Sequence, residues 1–522
     1  MKHLLTTAAA LCLTTGTALA DYTVTILHTN DFHARFEPIS KYDSSCSEEK
    51  NLEGKCFGGS ARLATAIEAA RARSNNTLLL DGGDQFQGTL FYTYYKGKLA
   101  AEMMNRLGYD GMTVGNHEFD DGPEVLAGFM DAVDFPVLMS NADVSGEPAL
   151  HGKLKKSVVI ERGGEKIGLI GATTEDTDEL SSPGDNVIFT DVADAVAHEV
   201  QKMQEMGVNK IIVMSHIGYS HDIALAKAVP EVDIIVGGHT NTLLSNTLEK
   251  AEGPYPTVVG TTQILSAYAY GKFLGELKVT FDDAGNVVEA VGEPILMDGA
   301  VAEDTGVKTR IAEAAAPLEE IRQKVVASTS EVIDGDRARC RVMECAMGNL
   351  VVDAMLDRVR DQGIQIAIQN SGGLRASIDA GEVTMGEVLT VLPFQNTLST
   401  FFVSGEAILA ALENGVSQVE EGAGRFPQVA GLRFTFDASA EVGARVSQVR
   451  VADGMGWKPL DPAATYGVVS NNYLRNGGDG YDMFKTASDV YDFGPDLADV
   501  MAEYLAERAP YTPFLDGRIT AK

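Results

Sequence analysis

The sequence predicts an α/β (α+β) protein of at least two domains, on three observations. Five polar segments each follow an apolar run: Asp31-Phe32-His33, Asp81-Gly82-Gly83-Asp84, Gly115-Asn116-His117-Glu118-Phe119-Asp120, Ser215-His216 and Gly238-His239-Thr240-Asn241. The runs before them, at 24–27, 77–80, 112–114, 211–214 and 234–236, are rich in Val, Ile, Leu and Thr, as buried strands are. Strands and helices alternate to about Met297, and the chain of 522 residues is too long for a single core.

In chain order, Lys2 and His3, an apolar stretch through Leu13 and then Thr17-Ala18-Leu19-Ala20 read as a secretory leader cleaved before Asp21. This predicts a periplasmic or secreted protein, with Cys12 removed in the leader. The polar segments then follow strand ends, the edge at which α/β folds assemble sites from loops distant in sequence. Between Glu276 and Glu289 the pattern is an antiparallel pair turning at Asp283-Ala284-Gly285-Asn286. From Glu303 to Val326 the periodicity is helical, with Ile311, Ala315, Leu318 and Ile321 near one face, and reads as an interdomain helix. Beyond it, Cys340-Arg341 and Glu344-Cys345-Ala346-Met347-Gly348-Asn349 precede an amphipathic helix, and 364–368 is a strand running into Asn370-Ser371-Gly372-Gly373-Leu374-Arg375. No later segment is a continuous apolar run of membrane-spanning length, so neither a membrane span nor a lipid-anchor tail is expected.

The five segments carry the donor types of a two-metal site. Two cations roughly 3.5–4 Å apart need a carboxylate between them and neutral His and Asn around them. Asp84 suits the bridge, Asp31 and His33 one ion, and Asn116, His216 and His239 the other. Such a site lowers the pKa of water enough to give a nucleophile near neutral pH. His117, next to a ligand candidate, is placed to stabilise charge or protonate a leaving oxygen, and Asp120 to orient it. Each segment alone is more often a turn or a satisfied polar residue; it is the five in order that carry the reading. His28 reads as a residue that supports the ligands or is purely structural, and His221, though within reach of the cleft, as a solvated helix start, while His151 and His198 have no motif around them.

In the second half, Leu392-Pro393-Phe394 and Asn472-Tyr473-Leu474-Arg475-Asn476-Gly477-Gly478-Asp479-Gly480-Tyr481 join Arg341 and the Asn370–Arg375 turn. Gly-rich turns let backbone approach a ligand, arginines fork onto phosphate oxygens, and aromatic rings sandwich a base. Together they describe a nucleotide pocket. Outside the leader four cysteines remain, an even number suited to an oxidising compartment. Cys46 with Cys56 and Cys340 with Cys345 each close a short loop, whereas cross-pairing joins distant segments, so local pairs are expected. Acidic residues outnumber basic ones 74 to 42, for a net charge of −32, which argues against nucleic-acid polymers or anionic membranes as partners. The same charge repels a nucleotide at long range, so metals and arginines must reverse the potential locally.

On these motifs the first half resembles a calcineurin-type metallophosphatase domain, and the chain from about Tyr22 to Ile519 resembles the 5′-nucleotidase family. The resemblance implies an N-terminal four-layer α/β/β/α metallophosphatase sandwich (21–302, after a signal peptide at 1–20), a linker helix (303–326) and a second α/β nucleotide-binding domain (327–522). It implies Asp31, His33, Asp84, Asn116, His216 and His239 as ligands of two divalent metal ions, zinc first, with manganese, cobalt or iron as alternatives, and Asn241 where relatives carry an amide. His117 and Asp120 become the catalytic pair. Arg341 and Arg375 contact phosphate, Asn370 the base edge and Asp479 the ribose, while Phe394 and Tyr473 clamp the base. Relatives often carry Phe where this chain has Tyr473, and they support a loop disulfide in each domain. The implied activity is hydrolysis of nucleoside 5′-monophosphates, extending to di- and triphosphates or nucleotide sugars, by a monomer or homodimer. A thiosulfohydrolase of the same architecture and a periplasmic solute-binding protein are the competing readings.

Overall fold

The computed structural model describes residues 21–522 apart from 42, 44, 395, 455, 492 and 493. The leader expected at 1–20, with Cys12, lies outside the described residues.

The first domain follows from apolar strands whose central members are buried on both faces. The strands are β1 (Tyr22–Thr29), β2 (Thr77–Asp81), β3 (Gly111–Thr113), β4 (Val137–Leu138), β5 (Ser157–Arg162), β6 (Glu165–Thr173), β7 (Ile211–His216), β8 (Ile234–Val236), β9 (Thr257–Val259), β10 (Thr262–Leu265), β11 (Phe273–Phe281) and β12 (Val287–Gly292). One sheet runs β12-β11-β1-β2-β3-β4, the other β9-β10-β8-β7-β6-β5. Successive side chains of a strand point to opposite faces. Val24, Ile26, Leu78 and Leu80 therefore share a core with Leu169, Ile212, Met214, Ile234 and Val236 of the second sheet. Leu27 and Leu79 face the other way, onto helices Ser60–Ala72, Lys98–Leu107 and Pro123–Ala132. On the far side, Ile170, Ala172, Ile211 and Val213 meet helices Val192–Glu205 and Tyr219–Ala228. The result is the expected four-layer α/β/β/α sandwich.

Within it β1, β2 and β3 run parallel, as do β7 and β8, so the carboxyl ends that carry the polar segments open together at one edge. The pair β11–β12 is the expected antiparallel hairpin, its turn held by Asp282 Oδ1, which accepts the N–H groups of Ala284 and Asn286.

The interdomain segment differs from one continuous helix. Helix Thr305–Ala315 gives way to a tight turn at Ala316–Leu318 and a short helix Glu319–Arg322. Pro317 has no N–H to continue the helical ladder, and the break changes the phase beyond it. Ile311, Ala315 and Leu318 are buried, but Ile321 is 48% exposed, so it leaves the face that the periodicity assigned it.

The second domain has a five-stranded sheet of β13 (Ile366–Asn370), β14 (Leu398–Ser404), β15 (Pro427–Ala430), β16 (Thr465–Asn471) and β17 (Ser488–Tyr491), ordered β15-β13-β16-β14-β17. Helices Ala346–Arg358 and Leu497–Glu507 cover one face through Leu350, Val351, Met355, Met501 and Leu505. Helix Gly405–Gly415 covers the other through Ile408, Ala411 and Leu412. Cys46 is bonded to Cys56 and Cys340 to Cys345, as the local pairing anticipates. Among the described residues no helix is long and apolar enough to cross a membrane.

Candidate active site

The loops after the strands turn abruptly. Asp31 (φ 50°), His33 (φ 51°), Asp84 (φ 61°), His239 (φ 75°) and Asn241 (φ 53°) all sit in the left-handed region, where each non-glycine residue costs of order 1–3 kcal/mol. Such conformations persist only when their surroundings hold them. Glu118 does much of this: its buried carboxylate accepts the N–H groups of Asp84 (2.9 Å), Gln85 (2.8 Å), Phe86 (3.1 Å) and Gly115 (2.7 Å). It thereby ties the loop after β2 to the loop after β3, and burial pushes its own carboxyl up to about 7. The sequence motifs give Glu118 no role, because the groups it binds are backbone N–H groups that no motif marks. Asp222, equally unassigned, accepts from Ser215 Oγ at 2.6 Å. It packs so closely on Gly237 that a Cβ there would lie 2.3 Å from its Oδ2.

Asp84 is the meeting point of the expected ligands. Its Oδ2 lies 3.1 Å from His216 Nε2, 3.7 Å from His33 Nε2 and 4.0 Å from His117 Nε2. Asn116 Oδ1 lies 3.2 Å from His216 Nε2 and 3.0 Å from His239 Nδ1. The carboxylate of Asp31 accepts the backbone N–H of His239 and the side-chain amide of Asn30. The donor atoms of Asp84, His216 and His239 fall within 4.8 Å of one another, as do those of His33, Asp84 and His117. Burial disfavours charge on Asp84, but His216, His117 and His33 hold its carboxyl well below the usual range. Burial likewise opposes charge on His216, yet Asp84 and Asp31 push it up to about 10.

These residues fit divalent cations. His33 Nδ1 faces the Phe86 carbonyl at 2.9 Å and His216 Nδ1 the Gly82 carbonyl at 2.6 Å. Each ring is thereby fixed with Nε2 turned toward Asp84, the backbone support typical of metal-ligating histidines. Asn241 Oδ1 is buried without a hydrogen-bond partner, an acceptor left open for an electrophile. Imidazole, carboxylate and amide oxygen together form a set accepted by zinc and its first-row neighbours.

His117 Nδ1 lies 2.7 Å from Asp120 Oδ2, and Ser181 Oγ donates to Asp120 Oδ1 at 2.7 Å. Burial works against a charged imidazole here, but Asp120 and Asp84 outweigh it and raise His117 above its ordinary value. The second domain closes on this cluster. Arg375 Nη2 reaches His33 Nε2 at 3.0 Å, and the Phe394 ring stacks on that of His117 with centroids 5.6 Å apart. Arg337 Nη2 donates to the His239 carbonyl at 3.0 Å. The sequence motifs do not single out Arg337, though it stands one helical turn before Arg341. Burial, followed by the charges of Arg337 and Arg375, pulls Arg341 well below the ordinary guanidinium value. Three crowded guanidiniums of this kind are relieved by an anion.

A cavity of about 700 Å³ joins the two halves. It is lined by His33, Asp84, Asn116, His117 and His239 from the first domain and by Arg337, Arg341, Asn370, Arg375, Phe394, Tyr473 and Asp479 from the second. Asp31, His216 and Asn241 lie behind this lining, buried. His221 lines the cavity from the start of helix Tyr219–Ala228. His28 is remote from it, paired with the Tyr255 hydroxyl at 2.9 Å, a structural residue as expected.

Comparison with known proteins agrees with this geometry. Residues 24–242 match the calcineurin-like phosphoesterase family, and residues 325–486 match the 5′-nucleotidase C-terminal domain. The chain is 37% identical to 5′-nucleotidase of Rattus norvegicus, over 95% of this chain and 90% of that one. It is 36% identical to snake venom 5′-nucleotidase of Crotalus adamanteus, over 99% and 92% respectively. The crystal structure of a 5′-nucleotidase precursor from Thermus thermophilus superposes with a TM-score of 0.92 at 43% identity, covering 96% of this chain and 99% of that one. The calcineurin-like domain implies divalent metal ions, and the clusters around Asp84 are where the chain offers to hold them. With both of its domains matched and its relatives spanning nearly its whole length, the chain belongs to the 5′-nucleotidase family of phosphoric monoester hydrolases.

Proposed function

We propose that this protein is a periplasmic or secreted enzyme that releases phosphate from nucleoside 5′-monophosphates such as AMP, its range extending to di- and triphosphates or nucleotide sugars. The observation that carries this reading is the shared cavity, in which a carboxylate–imidazole cluster, crowded guanidiniums and two aromatic rings face one space. Asp31 and His33 would hold one cation, Asn116, His216 and His239 the other, and Asp84 would serve both, while Asn241 offers its open Oδ1 to the same set. Zinc is the first choice for each. The ions, when bound, supply the positive charge that lowers the pKa of water and neutralises phosphoryl oxygens.

The chain's own groups do the rest. Arg337, Arg341 and Arg375 bind the phosphate oxygens. Asp120 orients the imidazole of His117 and favours its charged form, so that its Nε2 can present a proton to the transition state or to the leaving 5′ oxygen. Phe394 and Tyr473 take the base, and Asn370 and Asp479 the nucleoside's polar groups. In this reading residues 21–302 perform the hydrolysis, 303–326 connect, and 327–522 select the substrate in a monomer or homodimer.

Protein loaded separately with zinc, manganese, cobalt or iron should be assayed on AMP, other monophosphates, ATP, a nucleotide sugar, a cyclic nucleotide and thiosulfate. Release of phosphate from AMP and related nucleotides is the expected outcome. Tight binding of AMP without phosphate release makes the chain a solute-binding protein instead, and turnover of thiosulfate alone makes it a thiosulfohydrolase.

A further inference from the structure

The hydroxyl that distinguishes Tyr473 from a phenylalanine does not sit idle at the edge of the base pocket. It donates to Asp479 Oδ1 at 3.0 Å and accepts the Asp479 backbone N–H at 3.2 Å. The other carboxylate oxygen of Asp479 accepts from Asn370 Nδ2 at 2.7 Å. The Asn370 amide is oriented in turn, since its Oδ1 accepts from Asn471 Nδ2 and from Gln369 Nε2, each at 3.0 Å. Asp479 is therefore gripped on both oxygens while it still lines the cavity.

The local backbone is shaped for this grip. Tyr473 begins on a short helix, Asn472–Arg475, and the chain doubles back through Gly477 (φ 95°) to place Asp479 in a left-handed conformation (φ 55°). A Cβ at Gly478 would lie 2.4 Å from the Tyr473 ring, so glycine is needed for the turn to pass against it. A carboxylate has about four acceptor positions. With one on each oxygen already taken by Tyr473 and Asn370, each oxygen keeps one more, a spacing that suits two neighbouring hydroxyl donors.

We propose that the Tyr473 hydroxyl is a positioning group that holds Asp479 as a reader of the vicinal 2′,3′-diol of a ribonucleotide, and so makes the enzyme selective against deoxyribonucleotides. The proposal rests on the nucleotidase reading above. The ring of Tyr473 and its hydroxyl then have separate tasks, stacking on the base and fixing the carboxylate. A free carboxylate samples rotamers, and part of its binding energy goes into being ordered. Tyr473 removes that cost in advance, for substrates that present the diol.

Tyr473→Phe deletes one oxygen and keeps the ring, which separates the two tasks. The metal-loaded enzyme, wild type and Tyr473→Phe, should be assayed for kcat and KM on AMP, 2′-deoxy-AMP and 2′,3′-dideoxy-AMP, with p-nitrophenyl phosphate as a substrate lacking a nucleoside. The wild type should prefer AMP to the dideoxy compound. In the variant the ratio of kcat/KM for AMP to that for dideoxy-AMP should fall roughly 3- to 10-fold, the size of one lost hydrogen bond to a charged group acting indirectly. The change should be carried by KM for AMP. Asp479→Asn should lower the same ratio at least as far. An unchanged ratio in Tyr473→Phe, or an equal loss on AMP and dideoxy-AMP, overturns the proposal while leaving the nucleotidase reading in place. A wild type that handles AMP no better than p-nitrophenyl phosphate overturns both.

Discussion

Asp84 concentrates more of the site than any other side chain: its Oδ1 accepts the His117 backbone N–H at 2.9 Å, and its Oδ2 faces three imidazoles. Asp84→Ala should therefore abolish hydrolysis and reduce bound metal together, because both proposed coordination spheres lose a ligand. His117→Ala should keep its metal, while kcat falls by roughly 10²–10⁴, the range for loss of an acid–base group. Metal analysis of the two purified variants beside their kinetics checks this division, and loss of metal from His117→Ala as complete as from Asp84→Ala would sink it. The residue types that converge here were legible because carboxylate, imidazole and amide recur after strand-like runs. Glu118 was not, since its partners are backbone N–H groups of Asp84, Gln85 and Phe86, more than thirty residues away, and of Gly115 within its own turn. A motif names side chains; it does not reveal which buried amide groups need an acceptor.

At the scale of elements, the buried strands were readable from continuous apolar runs such as Leu78, Leu79 and Leu80, whose side chains fill the cores on both faces of their sheet, whereas the four-layer order was an implication of the family resemblance. The interdomain segment was only half readable, since periodicity alone carries Ile321 past the break that Pro317 imposes. The disulfides belong to this scale as well. Cys46–Cys56 closes the loop that carries helix Glu48–Leu52, and Lys50 on that helix pairs with Asp379 of the second domain at 2.8 Å. Cys340–Cys345 joins the short helix Arg337–Cys340 to the start of helix Ala346–Arg358, and so fixes Arg337 and Arg341 relative to the second domain's core. Oxidised protein beginning at Asp21 should show no titratable thiol after denaturation, and peptide mapping should recover these two links. Two or more reactive thiols would contradict both the pairing and the oxidising compartment. Reduction should weaken binding of nucleotide before it unfolds the sandwich, because neither bridge crosses the core between its sheets.

The whole molecule sets a strongly negative surface, −32 in net charge, around a cavity in which Arg337, Arg341 and Arg375 gather beside the proposed ligands. Neither domain carries the complete site: Arg375 reaches His33, Arg337 reaches the His239 carbonyl and Phe394 stacks on His117, all across the boundary between them. Removing both faces of the proposed clamp, Phe394→Ala with Tyr473→Ala, leaves every proposed metal ligand in the first domain intact. Base stacking on an aromatic is worth about 1–3 kcal/mol per contact, so kcat/KM for AMP should fall at least about tenfold. Hydrolysis of p-nitrophenyl phosphate, which has no base or ribose to hold, should fall by a smaller factor; it should not be wholly spared, because Phe394 also packs on the imidazole of His117. Binding energy from the remote nucleoside can serve to draw the domains together over the phosphate, and in that case kcat for AMP falls along with the rise in KM. Equal losses on the two substrates would show that the double variant had damaged the site as a whole. An undiminished rate on AMP would remove the second domain from base recognition and leave only the hydrolytic cluster of the first.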